Sequence, residues 1–433
     1  MQTSLRKISK RVVEEPRKRI TGLYSLLNER NLHWCYSRLK RKAKPGVDGV
    51  DWKDYGKDLA ANIGDLVGRL IRKAYKARLI LRMYIPKSNG KQRPLGLPAT
   101  EDKLVQYGCS KMLEAIYEHE FEECSFAYRP GRGAIDAKKY LRTHLQRGTY
   151  RWILDCDIKG FFENINHKKM IMLLELKIHD QAFMRLLLKW LKAGILEKDG
   201  SRISPYTGCP QGGTISPVLS NVYLHYALDR WFLTRVRPWC KGDSLLVRYA
   251  DDFVCAFQYY EDAQKFQQWL RVRLARFSLE LSEEKTRLLQ FDRSEIRESK
   301  SFNFLGFEYR WSEHKMGNYL YVATQTSSKK QRESLKSFFQ WIKENRHMRN
   351  GKLFERLKEK LRGYYNYYGV AGNSRRLHAF YRHVEGMLFM WLNRRSQRRS
   401  CNWKKFRKLL RIYGVPTPRI RKIESEVVTL AFS

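Results

Sequence analysis

The stretch Val247–Phe257, VRYADDFVCAF, restricts the possible fold more than any other part of the chain. The runs Leu245–Val247 and Phe253–Phe257 are apolar at consecutive positions, hence on both faces, as in strands covered on both sides. Between them stand two adjacent aspartates, Asp251 and Asp252. A buried central hairpin would hold these like charges together at a strand end, where they repel unless a cation joins them. The plain alternative is a solvated turn, because Asp is common in turns; the buried flanks favour a hard-metal site. A third carboxylate, Asp157, follows the apolar residues Trp152, Ile153 and Leu154 and lies 94 positions before Asp251. Taken alone it reads equally well as a helix N-cap. Two strand ends can converge in one sheet, and carboxylates with Mg²⁺ suit phosphoryl transfer. One ion then activates an attacking hydroxyl and the other holds leaving phosphates.

The charge balance points to a polyanion. The 433 residues carry 85 Lys and Arg against 44 Asp and Glu, a net charge of +41. The excess is clustered: the 38 residues Gly386–Ile423 hold 12 Lys or Arg and no acid, interleaved with Trp391, Trp403, Phe406 and Tyr413. Cations neutralise phosphates and aromatic rings stack on bases. Arg394, Arg395, Arg398, Arg399, Lys404, Lys405, Arg407 and Lys408 are the candidate nucleic-acid contacts. A membrane surface is disfavoured by the absence of a lipidation signal, a one-sided apolar helix, or an apolar run of about 20 residues. The eight cysteines form no CxxC pair, which fits buried thiols in a reducing compartment better than zinc or disulfides.

Along the chain, residues 1–44 are basic and helix-like, and KPGVDGVDW at Lys44–Trp52 is a turn opening further helix over 53–78. Leu79–Pro98 reads as two strands around Ser-Asn-Gly, and 101–123 as an amphipathic helix. Tyr150–His167 begins as a strand, 168–193 is a helical pair, and Gly208–Phe232 is a Gly-rich turn with a long helix. After the hairpin come a helix over 262–278, a strand pair over Ser301–Arg310, and basic helices from Ser328 onward.

Taken in order, these segments resemble a reverse transcriptase. YADD at Tyr249–Asp252 is similar to that family's active-site motif, and DIKGFFENINH at Asp157–His167 to its first carboxylate motif. PQGGTISPVLSN at Pro210–Asn221 resembles the segment under the incoming nucleotide, and YIPKSNGKQRPLGLP at Tyr84–Pro98 the strands covering the triphosphate. YRPGRGAIDA at Tyr128–Ala137 and FLGFEY at Phe304–Tyr309 fall in the expected places. The specific likeness is to group II intron-encoded reverse transcriptase–maturases. KPGVDGVDW resembles their extra N-terminal block and LRGYYNYYGV at Leu361–Val370 their maturase region, so the resemblance spans about residues 40–420.

The resemblance implies roles. Asp157, Asp251 and Asp252 are catalytic carboxylates, holding two Mg²⁺ ions (Mn²⁺ substituting) with the Ile158 carbonyl as a further ligand. Lys87 and Arg93 neutralise the triphosphate, Gln211 and Gly212 shape the nucleotide pocket, and Lys285 in LSEEKT assists the leaving pyrophosphate. Phe162, five residues after Asp157, is a steric gate against the sugar 2′ position. Each has a plain alternative: a solvated hairpin, a helix-opening turn, a surface lysine, a core Phe. Cys209 stands where the family often has Thr, and Asp155 has no role in the pattern.

The expected fold is α+β, a right-hand polymerase with fingers, a palm built on an antiparallel sheet, and a helical thumb. Its expected divisions are an N-terminal extension over 1–78, fingers and palm over 79–315, thumb and maturase helices over 316–398, and a basic DNA-binding-like tail over 399–433. The expected function is RNA-directed DNA synthesis from dNTPs, on a DNA primer and target. It is joined to binding and splicing of a parent group II intron RNA, in a ribonucleoprotein in the bacterial cytoplasm. Many relatives end in a Cys- and His-containing endonuclease; without that cluster the chain is expected not to cut a second target strand. The rivals are a splicing-only maturase, which the intact carboxylates oppose, and an intron-free reverse transcriptase in repair or phage defence. An RNA-dependent RNA polymerase is opposed by Phe162.

Overall fold

A computed structural model describes residues 1–86, 90, 92–204, 207–209, 211–314, 319–395 and 401–420. Lys87, Arg398 and Arg399 lie outside the described residues. The chain divides into two compact units, Met1–Leu141 with Gly148–Leu288, and Arg142–Arg147 with Leu289–Ser433. Helices and strands are mixed in an α+β arrangement, with eleven strands among the described residues.

In the first unit β1 (Ile80–Pro86) and β2 (Gln92–Leu97) form the expected antiparallel pair, Leu81 opposite Leu97. Two short strands missing from the sequence reading, β4 (Ile195–Leu196) and β5 (Arg202–Ile203), extend this sheet in the order β2-β1-β4-β5. The second sheet is built from β3 (Trp152–Asp157), β6 (Ser244–Tyr249), β7 (Asp252–Phe257) and β8 (Arg287–Gln290), in the order β6-β7-β3-β8. β6 and β7 are buried along nearly their whole length, as their apolar runs require, while β3 is buried at Ile153, Leu154 and Cys156.

The amphipathic helix expected over 101–123 is Thr100–Tyr117, and it buries polar residues as well as an apolar face. Glu101, Asp102, Gln106 and Ser110 are buried along with its apolar residues. The buried acids have partners: Arg69 forks onto Glu101 at 2.7 and 3.0 Å, and Tyr75 donates to Asp102. The helix expected over 53–78 is instead Trp52–Tyr55 and Leu59–Ile71. It stops because Lys73 turns left-handed at φ +58°, letting the Tyr75 amide reach back to Arg69 O at 3.1 Å. The helix from Ser216 begins with a proline in its first turn and is continued by two π-helical stretches, His225–Asp229 and Phe232–Val236.

The second unit holds a three-stranded sheet, β9 (Phe302–Phe304), β10 (Phe307–Glu313) and β11 (Leu320–Thr326), the last of which the sequence reading missed. Leu305 and Gly306 join β9 to β10, both at positive φ (+50° and +78°), the signature of a type I′ hairpin. The helices Ser328–Asn345, Asn350–Tyr368 and Ser374–Leu392 bury Phe338, Leu361, Tyr364 and Phe380. Trp403–Ile412 buries Phe406 and Leu410.

Candidate active site

The register of the second sheet sets the geometry. Asp157 is directly opposite Asp252 across β3 and β7, and Tyr249 is opposite Asp252 across β6 and β7. The loop of the hairpin is therefore Ala250–Asp251 alone. The two aspartates divide between turn and strand: Asp251 is in the turn and Asp252 opens β7. A two-residue loop favours a backbone that only glycine enters freely, yet Ala250 takes it, at φ +59°. Asp155 lies two residues before Asp157 and so on the same face of β3.

The electrostatics follow from this crowding. Burial pushes the Asp252 carboxyl up to about 7, and Asp155, Asp251 and Asp157 add to the rise while Lys285 opposes it. Burial also raises Asp251, with Asp157 adding and Arg93 opposing. Asp155 is pushed to about 6 by burial and by Asp157, against Arg287. Lys285 donates to Asp157 Oδ2 at 2.7 Å. It is presented by the loop after Leu281, where Ser282 N donates to Asp157 O at 2.8 Å and an isolated bridge pairs Ile158 with Leu281.

These residues fit a divalent ion by chemistry: the donors are oxygens, and a carboxyl held near 7 by burial and by neighbouring carboxylates is one whose ionised form a cation would stabilise. They are not closed on a common point. Among the described residues no three His, Cys, Asp or Glu side chains form a ready metal cluster. Lys285 instead takes one oxygen of Asp157.

Among the residues expected at a nucleotide, Arg93 Nε donates to Gln211 Oε1 at 3.0 Å, and Gly96 N donates to Gln211 O at 2.6 Å. Gly212 sits at φ +112° with its α-carbon against β2; a Cβ there would lie 2.4 Å from Gly96 O. Arg93, Gln211 and Gly212 are thus brought together, and Arg93 is near enough to oppose the rise at Asp251. Phe162 is buried in the main core, edge-on to Phe161 at 5.2 Å, and its carbonyl accepts from Cys209 N at 2.7 Å. This is the packing of a core side chain.

Sequence reasoning missed three residues here. Tyr128, left-handed at φ +58°, is raised by burial and then by Asp251 and Tyr249, which puts it beside the turn. Arg248 and Asp229 form a wholly buried ion pair behind it. The available signal was an arginine inside an otherwise apolar strand, which must find a partner.

In the second unit Lys404, Lys405, Arg407 and Lys408 are exposed on one helix. Arg394 lies over the Trp391 ring at 5.5 Å. Arg395 departs from the expected role: its guanidinium donates to Asn350 Oδ1 and, at 3.1 Å, to Met348 O. It is spent on bracing the start of the Asn350–Tyr368 helix.

Comparison with known proteins agrees with this geometry. Residues 85–309 match the family model for reverse transcriptase (RNA-dependent DNA polymerase), and residues 330–410 that for the group II intron maturase-specific domain. The chain is 37% identical over 233 residues to the group II intron-encoded protein LtrA of Lactococcus lactis subsp. cremoris, covering 53% of this chain and 38% of LtrA. It is 34% identical over 282 residues to Protein YkfC of Escherichia coli K12, covering 58% of this chain and 74% of YkfC. A third relative, nuclear intron maturase 4, mitochondrial, of Arabidopsis thaliana, is 30% identical over 133 residues, 30% of this chain and 16% of that protein.

Proposed function

Because this chain belongs to the reverse transcriptase family and carries a group II intron maturase domain, we propose that it is an intron-encoded RNA-directed DNA polymerase that also binds its parent intron RNA. The observation that carries the polymerase reading is the register: Asp157 faces Asp252, with Asp251 in the adjoining turn. In this reading the protein is a right hand. The sheet of β1 and β2 is the fingers, the sheet of β3, β6, β7 and β8 is the palm, and helices of the second unit form thumb and maturase.

Asp157, Asp251 and Asp252, with the Ile158 carbonyl, would hold two Mg²⁺ ions, for which Mn²⁺ substitutes. When bound, the ions make a primer hydroxyl a better nucleophile and neutralise the leaving phosphates. Arg93, with Lys87, binds the triphosphate of a dNTP. Gln211 and Gly212 form the floor of its pocket, and the contact of Gly212 with Gly96 supports a fixed floor. Lys285 holds Asp157 in the free enzyme and moves to the leaving pyrophosphate; its long, exposed side chain suits that exchange. Phe162 excludes a 2′-hydroxyl from the sugar site.

The second unit would bind intron RNA to support splicing, and its exposed basic helix would contact target DNA during retrohoming by target-primed synthesis. The ribonucleoprotein works in a bacterial cytoplasm; among the described residues no helix is long and apolar enough to cross a membrane. The deciding test is primer extension on an RNA template by the double variant Asp251→Ala, Asp252→Ala. Extension should vanish while intron RNA binding stays near wild type, and equal extension by both proteins would reject the assignment.

A further inference from the structure

The hairpin that carries Asp251 and Asp252 is strained, and a buried guanidinium holds it. Ala250 stands at φ +59°, a conformation that persists in a non-glycine residue only when its surroundings over-determine it. Two residues earlier, Arg248 is completely buried. All five of its side-chain N–H donors find acceptors. Nε donates to Asp229 Oδ1 at 2.7 Å, and Nη2 to Asp229 Oδ2 at 2.5 Å and Ser125 Oγ at 2.6 Å. Nη1 donates to Asn221 Oδ1 at 3.1 Å and to the Ala250 carbonyl at 3.0 Å. The anchors are themselves fixed. Asn221 Nδ2 donates to Ala127 O at 2.7 Å, and the Arg248 backbone exchanges bonds with Cys124 O and Phe126 N at 2.8 and 3.0 Å.

Asp229 reaches Arg248 through an irregular helix. It ends the π-helical stretch His225–Asp229, whose Tyr226 and Ala227 carbonyls accept from Arg273 at 2.8 and 3.0 Å. A π-turn takes in about one residue more than an α-turn, so a regular helix would carry position 229 roughly 100° away around the axis. Buried ion pairs are poor sources of stability, since apolar replacements often do as well. A pair kept next to a strained active-site turn is better accounted for by geometry.

We propose that Arg248, anchored by Asp229, is a positioning residue of the polymerase centre: it grips the Ala250 carbonyl and so holds the left-handed turn that presents Asp251 and Asp252. The proposal rests on the polymerase reading above. Arg248→Lys keeps the charge but loses the planar fork, so one ammonium cannot serve both Asp229 oxygens and the Ala250 carbonyl.

Three quantities are measured on the full chain: the single-turnover extension rate per active molecule, Mn²⁺ affinity from electron paramagnetic resonance of the free ion without substrates, and primer–template affinity. A misplacement of about 1 Å costs on the order of 100-fold in rate, so Arg248→Lys should lower the rate about 10- to 100-fold and weaken Mn²⁺ several-fold. Primer–template affinity should stay within about two-fold, because the pair touches no nucleic acid in this reading. A wild-type rate per active molecule with wild-type Mn²⁺ affinity, whatever the melting temperature, overturns the proposal. If Arg248→Lys does not fold, Ser125→Ala decides, because it removes one acceptor and leaves the ion pair. A several-fold slower rate with weaker Mn²⁺ binding supports the proposal, and wild-type values of both overturn it. Asp251→Asn tests the reading beneath: full extension by that variant rejects the polymerase centre itself, independently of Arg248.

Discussion

Gly212→Ala perturbs the proposed nucleotide floor at one atom. The added Cβ would lie 2.4 Å from Gly96 O and 2.9 Å from Leu95 Cδ1. The leucine can rotate away, but Gly96 O belongs to the backbone of β2, so the two segments must part by about 1 Å to reach ordinary contact. Parting them breaks the 2.6 Å bond from Gly96 N to Gln211 O, worth about 1 kcal/mol. An alanine at φ +112° adds about 1–3 kcal/mol of backbone strain. Together these come to about 2–4 kcal/mol, or roughly 30- to 700-fold in an equilibrium at 1.4 kcal/mol per tenfold. The strain is relieved by moving Gln211 and with it Arg93, bonded at 3.0 Å. It should therefore appear as a higher dNTP KM in single-nucleotide extension, with primer–template affinity unchanged. Gly386→Ala is the control. It lies inside the Ser374–Leu392 helix with nothing within 4 Å of its added Cβ, and should be neutral or stabilise by up to about 1 kcal/mol. A Gly212→Ala enzyme with wild-type dNTP KM would show that the contact with β2 does not shape the pocket.

The Asp252 carboxyl sits near 7 when folded against about 3.9 unfolded, so the native state binds the extra proton and stability falls as pH rises from about 4 to 7. Asp252→Asn removes that fall: thermal melting without divalent ions should show the variant more stable than wild type at pH 8 but not at pH 4, while extension is lost. Tyr75→Phe deprives buried Asp102 of a donor and Trp190 Nε1 of its acceptor at 2.9 Å, and chemical denaturation should show a loss of about 2–4 kcal/mol. Replacing Lys404, Lys405, Arg407 and Lys408 with Gln should make log affinity for duplex DNA against log salt shallower by about 0.9 per lost phosphate contact, leaving extension at saturating template intact. Phe162→Ala should raise the ratio of rNTP to dNTP incorporation and, because Phe162 is core-packed, lower stability by about 3–5 kcal/mol; an unchanged ratio would leave it as core alone.

What could be read from sequence was what is local and chemically unambiguous. Apolar runs on both sides of Asp251–Asp252 announced a buried hairpin, and the same logic at Trp152–Leu154 located the strand ending in Asp157. The pairing of these strands was only a possibility until the register was known. Side chains whose meaning depends on distant partners were opaque. Asp102 looks like a solvent-facing helix residue until Tyr75 and the Arg78 amide are found around it. Arg395 looks like a phosphate contact until its fork is seen filled by Asn350 and Met348. Strands of two residues, such as β4 and β5, carry too few positions to show alternation.

Arg248 also shows how a strongly basic chain can place a buried cation beside carboxylates while pairing it elsewhere. A guanidinium this close to Asp251 and Asp252 would ordinarily pull both carboxyls down and compete with a metal. Asp229 offsets this by taking the guanidinium with both of its oxygens, so the pair supplies direction with little net charge. Arg93 and Arg248 both oppose the rise at Asp251, and the cation opposing the rise at Asp252 is Lys285. Lys285 is exposed on a flexible stem and can leave, whereas Arg248 is enclosed and cannot. The cations around the turn thus divide by mobility. The immobile one is paired with Asp229 and grips the Ala250 carbonyl, and the mobile one, in the proposed reading, would give way to a substrate or metal ion. Burial, with Asp155, Asp251 and Asp157 close by, thus keeps the Asp252 carboxyl near 7 against Lys285, inside a protein of net charge +41.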